Sequence, residues 1–348
     1  MKKMNILKTA AAALLSLFAV SLSACSDDDT VGAQTAKTYD MGGFAKGADV
    51  SWLTEMEAND IAFYDATGRK NDCMKILRSL GMNAIRLRVW VDPADGWCGQ
   101  QDVVAKAVRA HNLGMRLMID FHYSDSWADP SKQNIPEAWK NYTLEEMKQA
   151  VANHTRTVLE ALKKAGIDSV EWVQVGNETT TGMLWPMGKV SDGNFANFAQ
   201  LVNAGYDAAK EVYPKTKVIV HVDQGNKLGK FTWLFDGLKA AGGKWDVIGM
   251  SLYPGDSDWT TEVADCLANI DKLKQRYGTD IVISEVGMDW NSEQAEPCLR
   301  HLVDGAKKVP ACEGVFYWEP ECYNGWKQYA KGAFDNSGKP TKALDAFK

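Results

Sequence analysis

The chain has 348 residues, 45% of them hydrophobic, and a formal net charge of −6 at pH 7. That composition supports a packed core and excludes a disordered chain, and the mildly acidic balance excludes a basic nucleic-acid-binding surface. Thirteen Trp are the outlying feature. Trp is large and seldom fully enclosed, so this many suggest aromatic surface offered to a flat ligand, with sugars among the candidates.

The N-terminus reads as a secretory signal. Lys2, Lys3 and Lys8 precede an apolar run over residues 10–20 that is too short to span a bilayer. The run ends in Leu22-Ser23-Ala24-Cys25, which resembles the lipobox of bacterial lipoproteins. That resemblance implies removal of residues 1–24 and lipidation of Cys25, and it takes the net charge from −6 to −9, because three Lys and no acid are lost. Residues 25–37 form an acidic linker that opens with Ser26-Asp27-Asp28-Asp29. This stretch is similar to those that route some outer-membrane lipoproteins to the cell surface. The expected location is therefore extracytoplasmic, at the outer membrane through a lipid anchor. No later stretch approaches the ~20 apolar residues of a membrane helix.

From about residue 38 to residue 348 the chain alternates short apolar, β-branched runs with longer amphipathic ones. Strands are expected over residues 45–50, 84–89, 116–121, 171–175, 217–222, 246–252, 281–284 and 314–318. Helical periodicity fills residues 144–164, where Met147, Val151, Val158 and Leu159 share one face, and also residues 196–212 and 263–277. Gly81, Gly114, Gly166 and Gly278 each follow a helical run, as left-handed C-caps do. Eight βα units in about 300 residues predict an α/β fold, a single (β/α)8 TIM barrel. No GxGxxG follows the first strand, which argues against a doubly wound sheet.

Cys25 aside, six Cys remain: Cys73, Cys98, Cys266, Cys298, Cys312 and Cys322. An even number suits disulfides in an oxidising compartment. One to three bonds are expected, with Cys298–Cys322 as the favoured pair.

Barrel chemistry sits on the loops after the C-terminal strand ends. Those ends deliver Asp49 and Trp52, then Arg86, Arg88 and Trp90, then Asp120, His122 and Tyr123, then Asn177 and Glu178, then Tyr253, Glu285, Trp318 and Glu319. Glu178 ends the fourth expected strand and Glu285 the seventh. Two carboxyls facing across the mouth suit glycoside hydrolysis, where one is protonated and one ionised. Asn177 beside Glu178 suits a bond to a sugar 2-hydroxyl. Arg86 and Tyr253 suit Glu285, keeping it ionised. Glu178 then serves as acid/base and Glu285 as nucleophile.

Gly176-Asn177-Glu178 and Ile283-Ser284-Glu285-Val286-Gly287 resemble the strand-4 and strand-7 motifs of a large clan of retaining glycosidases. Gly47-Ala-Asp-Val-Ser51, Arg86-Leu-Arg-Val-Trp90, the run Asp120 to Pro130, Gln133 and Pro136-Glu-Ala-Trp139 narrow the resemblance to the endo-β-1,4-galactanases of glycoside hydrolase family 53. The resemblance implies internal cleavage of β-1,4-galactan, such as pectic arabinogalactan side chains, with retention through a covalent galactosyl-enzyme. It implies Glu178 and Glu285 as the catalytic pair, with Arg86, His122, Asn177, Tyr253 and Trp318 around the substrate. Asp49, Trp90, Asp125, Trp127 and Trp290 are further substrate-binding candidates. Some bacterial members carry an acidic, His-containing calcium loop after strand 7. Residues 288–294 show no clear copy, so no cofactor is required and a structural calcium is left open.

The His residues show no HxH or HExxH spacing, so a metallohydrolase is poorly supported. His122 is expected to bond substrate or the nucleophile, and Glu319 and Glu321 to meet solvent or sugar. Eight Trp fall in expected rim loops: 52, 90, 97, 127, 185, 290, 318 and 326. Trp172, Trp233 and Trp245 are expected to pack. The alternatives are another glycanase of the same clan (mannanase, xylanase or cellulase) and a non-catalytic surface glycan-binding lipoprotein. The chain is expected to act as a monomer.

Overall fold

The structure, a computed structural model, describes residues 40–348 apart from residue 192. The expected signal segment, Cys25 and the acidic linker lie outside the described residues.

Eight parallel strands close a barrel, each joined to the next by at least one helix. In chain order these are β1 (Ala45–Asp49), α1 (Leu53–Ala58), α2 (Cys73–Ser79), β2 (Ala84–Val89), α3 (Gln100–Asn112), β3 (Arg116–Phe121), α4 (Leu144–Lys164) and β4 (Trp172–Val175). A two-stranded hairpin follows, β5 (Gly182–Met183) and β6 (Gly188–Lys189). Then come α5 (Ala196–Val212), β7 (Lys217–Val222), α6 (Leu228–Ala240), β8 (Val247–Leu252), α7 (Trp259–Tyr277), β9 (Asp280–Val286), α8 (Ala295–Lys307) and β10 (Cys312–Trp318). The closed order is β1-β10-β9-β8-β7-β4-β3-β2, the (β/α)8 barrel expected from the sequence. Strands buried on both faces must be apolar along their length, and that is why all eight were visible as short hydrophobic runs.

Helix α4 shows how local signals set an element. Thr143 and Glu146 form a capping box at its start. Met147, Val151, Val158, Leu159 and Leu162 turn inward. Lys163 and Lys164 oppose the dipole at its end, and Gly166 follows with φ +90°.

The barrel's lower interior is one layer with a residue from each strand: Ala45, Ala84, Met118, Trp172, Ile219, Val247, Val282 and Phe316. Large and small alternate to fill the ring. Trp172 meets Phe316 edge-on at 5.7 Å. A Cβ on Gly47 would lie 2.2 Å from the Phe316 ring, so Gly47 is required for space.

Strand β9 is irregular on both sides. Its register slips between Met250 and Ser251 of β8, and again between Val315 and Tyr317 of β10. Bulges beside active sites re-aim side chains, and this one lies at Ser284-Glu285.

Two expectations are corrected here. The six described Cys are all free and buried. They sit on separate elements as small apolar packing groups. Cys298, in α8, and Cys322, beyond β10, therefore do not form the expected bond. Trp233 is not a packing residue. It is 44% exposed on α6, with its ring tilted onto Phe195 at 5.2 Å.

Candidate active site

The two carboxyls reach the C-terminal mouth by different local devices. Glu285 is placed by the β9 bulge. Glu178 follows Gly176, whose φ is +82° and whose Cβ would strike Thr179 at 2.5 Å. Only glycine fits there. The chain turns so sharply that Glu178 itself takes φ +44°. Strain of this kind in a non-glycine residue gathers at functional sites.

Glu285 is gripped from two sides. Arg86 Nη2 lies 2.9 Å from Oε1, and the Tyr253 hydroxyl donates to Oε2 at 2.7 Å. Arg86 is fully enclosed. Its guanidinium also meets Asp49 at 2.7 Å, Asp120 at 2.9 Å and Asn177 Oδ1 at 2.9 Å. A planar fork with five donors suits such a junction. Asp49 and Arg86, expected at the substrate, are both 0% exposed. Arg86 acts on the site through Glu285 and Asn177, and Asp49 acts through Arg86.

Burial pushes the Glu178 carboxyl well above the usual carboxylate range, and the nearby Glu285 charge pushes it further. Burial raises Glu285 too, but Arg86 and the Tyr253 hydroxyl oppose that rise. Glu285 therefore ionises first, and Glu178 retains its proton.

A polar network supports Glu178 from below. Gln174 Nε2 lies 2.6 Å from Asp120, 3.1 Å from Asn177 Oδ1 and 3.0 Å from His221 Nδ1. His221 Nε2 lies 2.8 Å from Ser251 Oγ, and Ser251 bonds the Glu178 carboxyl. Burial holds the His221 pKa far below its usual value, so the ring is neutral. Nδ1 accepts from Gln174, so we assign the proton to Nε2. Ser251 then accepts from His221 and is free to donate to Glu178.

The remaining expected residues divide by contact. Asn177 is nearly enclosed, and its Nδ2 donates to the Ala128 carbonyl at 2.9 Å, which leaves a second hydrogen for a ligand. His122 departs from expectation. Its Nδ1 accepts from Trp90 Nε1 at 3.3 Å and Ala128 N–H at 3.1 Å, and its Nε2 faces Asp120 at 3.0 Å. Both ring nitrogens are thus spent within the protein. Trp90 is buried as His122's partner. Asp125 accepts from the backbones of Asp92 and Glu137 at 3.1 and 2.8 Å, tying two rim loops together. Trp127, Trp290 and Trp318 stay half-buried. Glu319 and Glu321, expected to meet solvent or sugar, are both 0% exposed.

Sequence reasoning missed Gln174, His221 and Ser251. Their only signal was a polar residue inside an otherwise apolar strand. It also missed Asp223, which accepts from Thr180 Oγ1 and pairs with Lys230 at 2.7 Å beside Glu178. Glu178, Asp223, Gln224, Asn226, Ser251 and Tyr253 line a cleft of about 520 Å³. A hollow of about 660 Å³ against α4 contains neither carboxyl. Among the described residues, no group of three or more His, Cys, Asp or Glu side chains is placed to hold a metal ion.

Residues 45–299 match the family described as glycosyl hydrolase family 53. The chain belongs to that family. An uncharacterized Niallia circulans protein is 35% identical over 86% of this chain and 89% of its own length. A Neosartorya fischeri protein named probable arabinogalactan endo-beta-1,4-galactanase A is 31% identical over 79% of this chain and 83% of its own. A solved fungal beta-1,4-galactanase superposes with a TM-score of 0.80 at 26% identity, covering 88% of this chain and 99% of that one. The family 53 chain is thus a glycoside hydrolase, and its carboxyl pair lies where a barrel enzyme keeps its chemistry.

Proposed function

We propose that this family 53 chain cleaves internal β-1,4-galactosidic bonds of galactan and type I arabinogalactan, with retention, by double displacement. The observation that carries the roles is the unequal grip on the two carboxyls. Glu285, ionised beside Arg86 and Tyr253, attacks the anomeric carbon and forms a covalent galactosyl-enzyme. Glu178 gives its proton to the leaving oxygen, then takes one from the water that hydrolyses the intermediate. Asn177, beside Glu178, bonds the sugar 2-hydroxyl. Trp127, Trp290 and Trp318 offer half-buried ring surface to the chain of sugars. The reaction needs no cofactor.

The proposal extends to where the enzyme works. The lipobox-like Leu22 to Cys25 and the acidic residues after it support a lipoprotein tethered through Cys25 to the outer membrane and facing outward. That location would place the barrel among polysaccharides too large to enter the cell. A monomer suffices, because both carboxyls come from one chain.

Incubation with unbranched β-1,4-galactan, mannan, xylan and cellulose tests the substrate. Mid-length fragments appearing early from galactan, and from no other polymer, are expected. Monomer alone, or faster release from another polymer, contradicts the reading.

A further inference from the structure

The barrel mouth has two chemically different halves. Trp52, Trp90, Trp127 and Trp318 follow or end β1, β2, β3 and β10, which are adjacent strands, and they form one aromatic arc. The cleft lined by Glu178, Asp223, Asn226 and Ser251 forms the polar half. Glu178 protonates the leaving oxygen, so the leaving sugars belong to its polar side. The sugars that stay on the enzyme then lie along the aromatic arc.

The arc is built around a buried cation. The Arg88 Cζ atom lies 4.4 Å from the ring centre of Trp127, 5.0 Å from Trp52, 5.4 Å from Trp90 and 5.9 Å from Trp318. The rings brace one another edge-on or tilted. Trp52 sits 5.5 Å from Trp127 and 5.2 Å from Trp318, and Trp127 sits 5.8 Å from Trp318. Arg88 is 1% exposed, and its Nη1 pairs with Glu319. Among the described residues, its Nε and Nη2 have no hydrogen-bond acceptor. Those N–H groups are left facing the indole rings, where a guanidinium is attracted to the ring quadrupole. Trp52 and Trp90 are enclosed, while Trp127 and Trp318 keep surface open to the mouth.

We propose that Arg88 is a positioning residue for substrate binding. It fixes the tilt of Trp127 and Trp318 from behind, so that their free surfaces form a rigid platform for the sugars retained on the enzyme. Glu319 neutralises the cation, and its Oε2 also accepts from the Trp52 N–H at 3.1 Å, which locks the arc to the backbone. This inference rests on the galactanase reading for its substrate but not for its geometry.

The test uses two variants. One carries Arg88→Met with Glu319→Gln, so that no buried charge is left unpaired. The other is Arg88→Lys, which retains the charge beside Glu319 but not the plane. KM and kcat are measured with galactohexaose, and the near-ultraviolet circular dichroism of the indoles is measured without substrate. The expected result in both variants is a KM raised about tenfold, a kcat within about twofold of the parent, and a changed indole signal. An unchanged KM overturns the proposal. So does full recovery by Arg88→Lys, because charge pairing with Glu319 would then be the whole role. If the double variant fails to fold, Arg88→Lys alone decides. If the parent does not cleave the oligosaccharide, the galactanase reading fails, and an indole signal unchanged in the variants still overturns the placement of the rings by Arg88.

Discussion

Arg86 Nη2 stands 2.9 Å from Glu285 Oε1, whereas Glu178 forms no salt bridge among the described residues. This difference separates two chemically identical side chains into a base and an acid. It also sets the pH profile of kcat/KM. Activity needs Glu285 ionised, so it is lost as pH falls through the Glu285 titration. Activity needs Glu178 protonated, so it is lost as pH rises through the Glu178 titration. A bell is expected, with its acid limb above the ordinary carboxylate range because burial raises Glu285. A rate that stays flat from pH 4 to 9 would contradict the assignment.

Tyr253→Phe removes the hydroxyl that donates to Glu285 Oε2 at 2.7 Å and keeps the ring. The ionised form of Glu285 loses a bond that stabilises it, so its pKa rises. The acid limb of the kcat/KM profile should move to higher pH, and the plateau should fall by about tenfold, about 1.4 kcal/mol. A shift of the basic limb instead would mean that Tyr253 acts on Glu178.

Burial pulls His154 down to about 4. Its ring packs against Phe121, Tyr123 and Trp139, and its Nε2 has no partner among the described residues. The unfolded chain takes up a proton near pH 6.5, while the folded chain resists until about 4. Stability therefore falls as pH drops between those values, by at most about 1.4 kcal/mol per pH unit from this residue. Denaturant unfolding at pH 7 and pH 5 should show a smaller loss for His154→Phe than for the parent. Equal losses would show that His154 does not carry the dependence.

All six described Cys are free thiols packed in the interior. Titration of the unreduced chain lacking residues 1–37, unfolded in denaturant, should find six thiols. Reducing agent should leave Tm unchanged. Four thiols or fewer would reinstate the disulfides that the even count suggested.

The barrel was legible because a parallel strand buried on both faces writes itself as an apolar run. Strand ends were less so. β9 extends from Asp280 to Val286, beyond the expected residues 281–284, because its polar ends are paired by neighbours that no local pattern reveals. The β5–β6 hairpin, two residues a side, carries no periodicity at all. Glu178 and Glu285 were legible because charge at the end of an apolar strand is conspicuous. Glu319 was misjudged for the opposite reason. Charge alone suggests solvent, and its burial depends on Arg88, 231 residues away. The Trp residues divide the same way. Composition suggested a sugar platform, but Trp52 and Trp90 serve as its buried frame and Trp172 fills the barrel floor.

Trapping the covalent intermediate tests the central assignment most directly. The enzyme would be treated with a 2-deoxy-2-fluoro galactobiosyl fluoride, which forms the glycosyl-enzyme quickly and releases it slowly, and its peptides would then be weighed. A single fluorinated galactobiosyl adduct on Glu285 is the predicted result. An adduct on Glu178, or inactivation with no adduct on either carboxyl, would contradict the account.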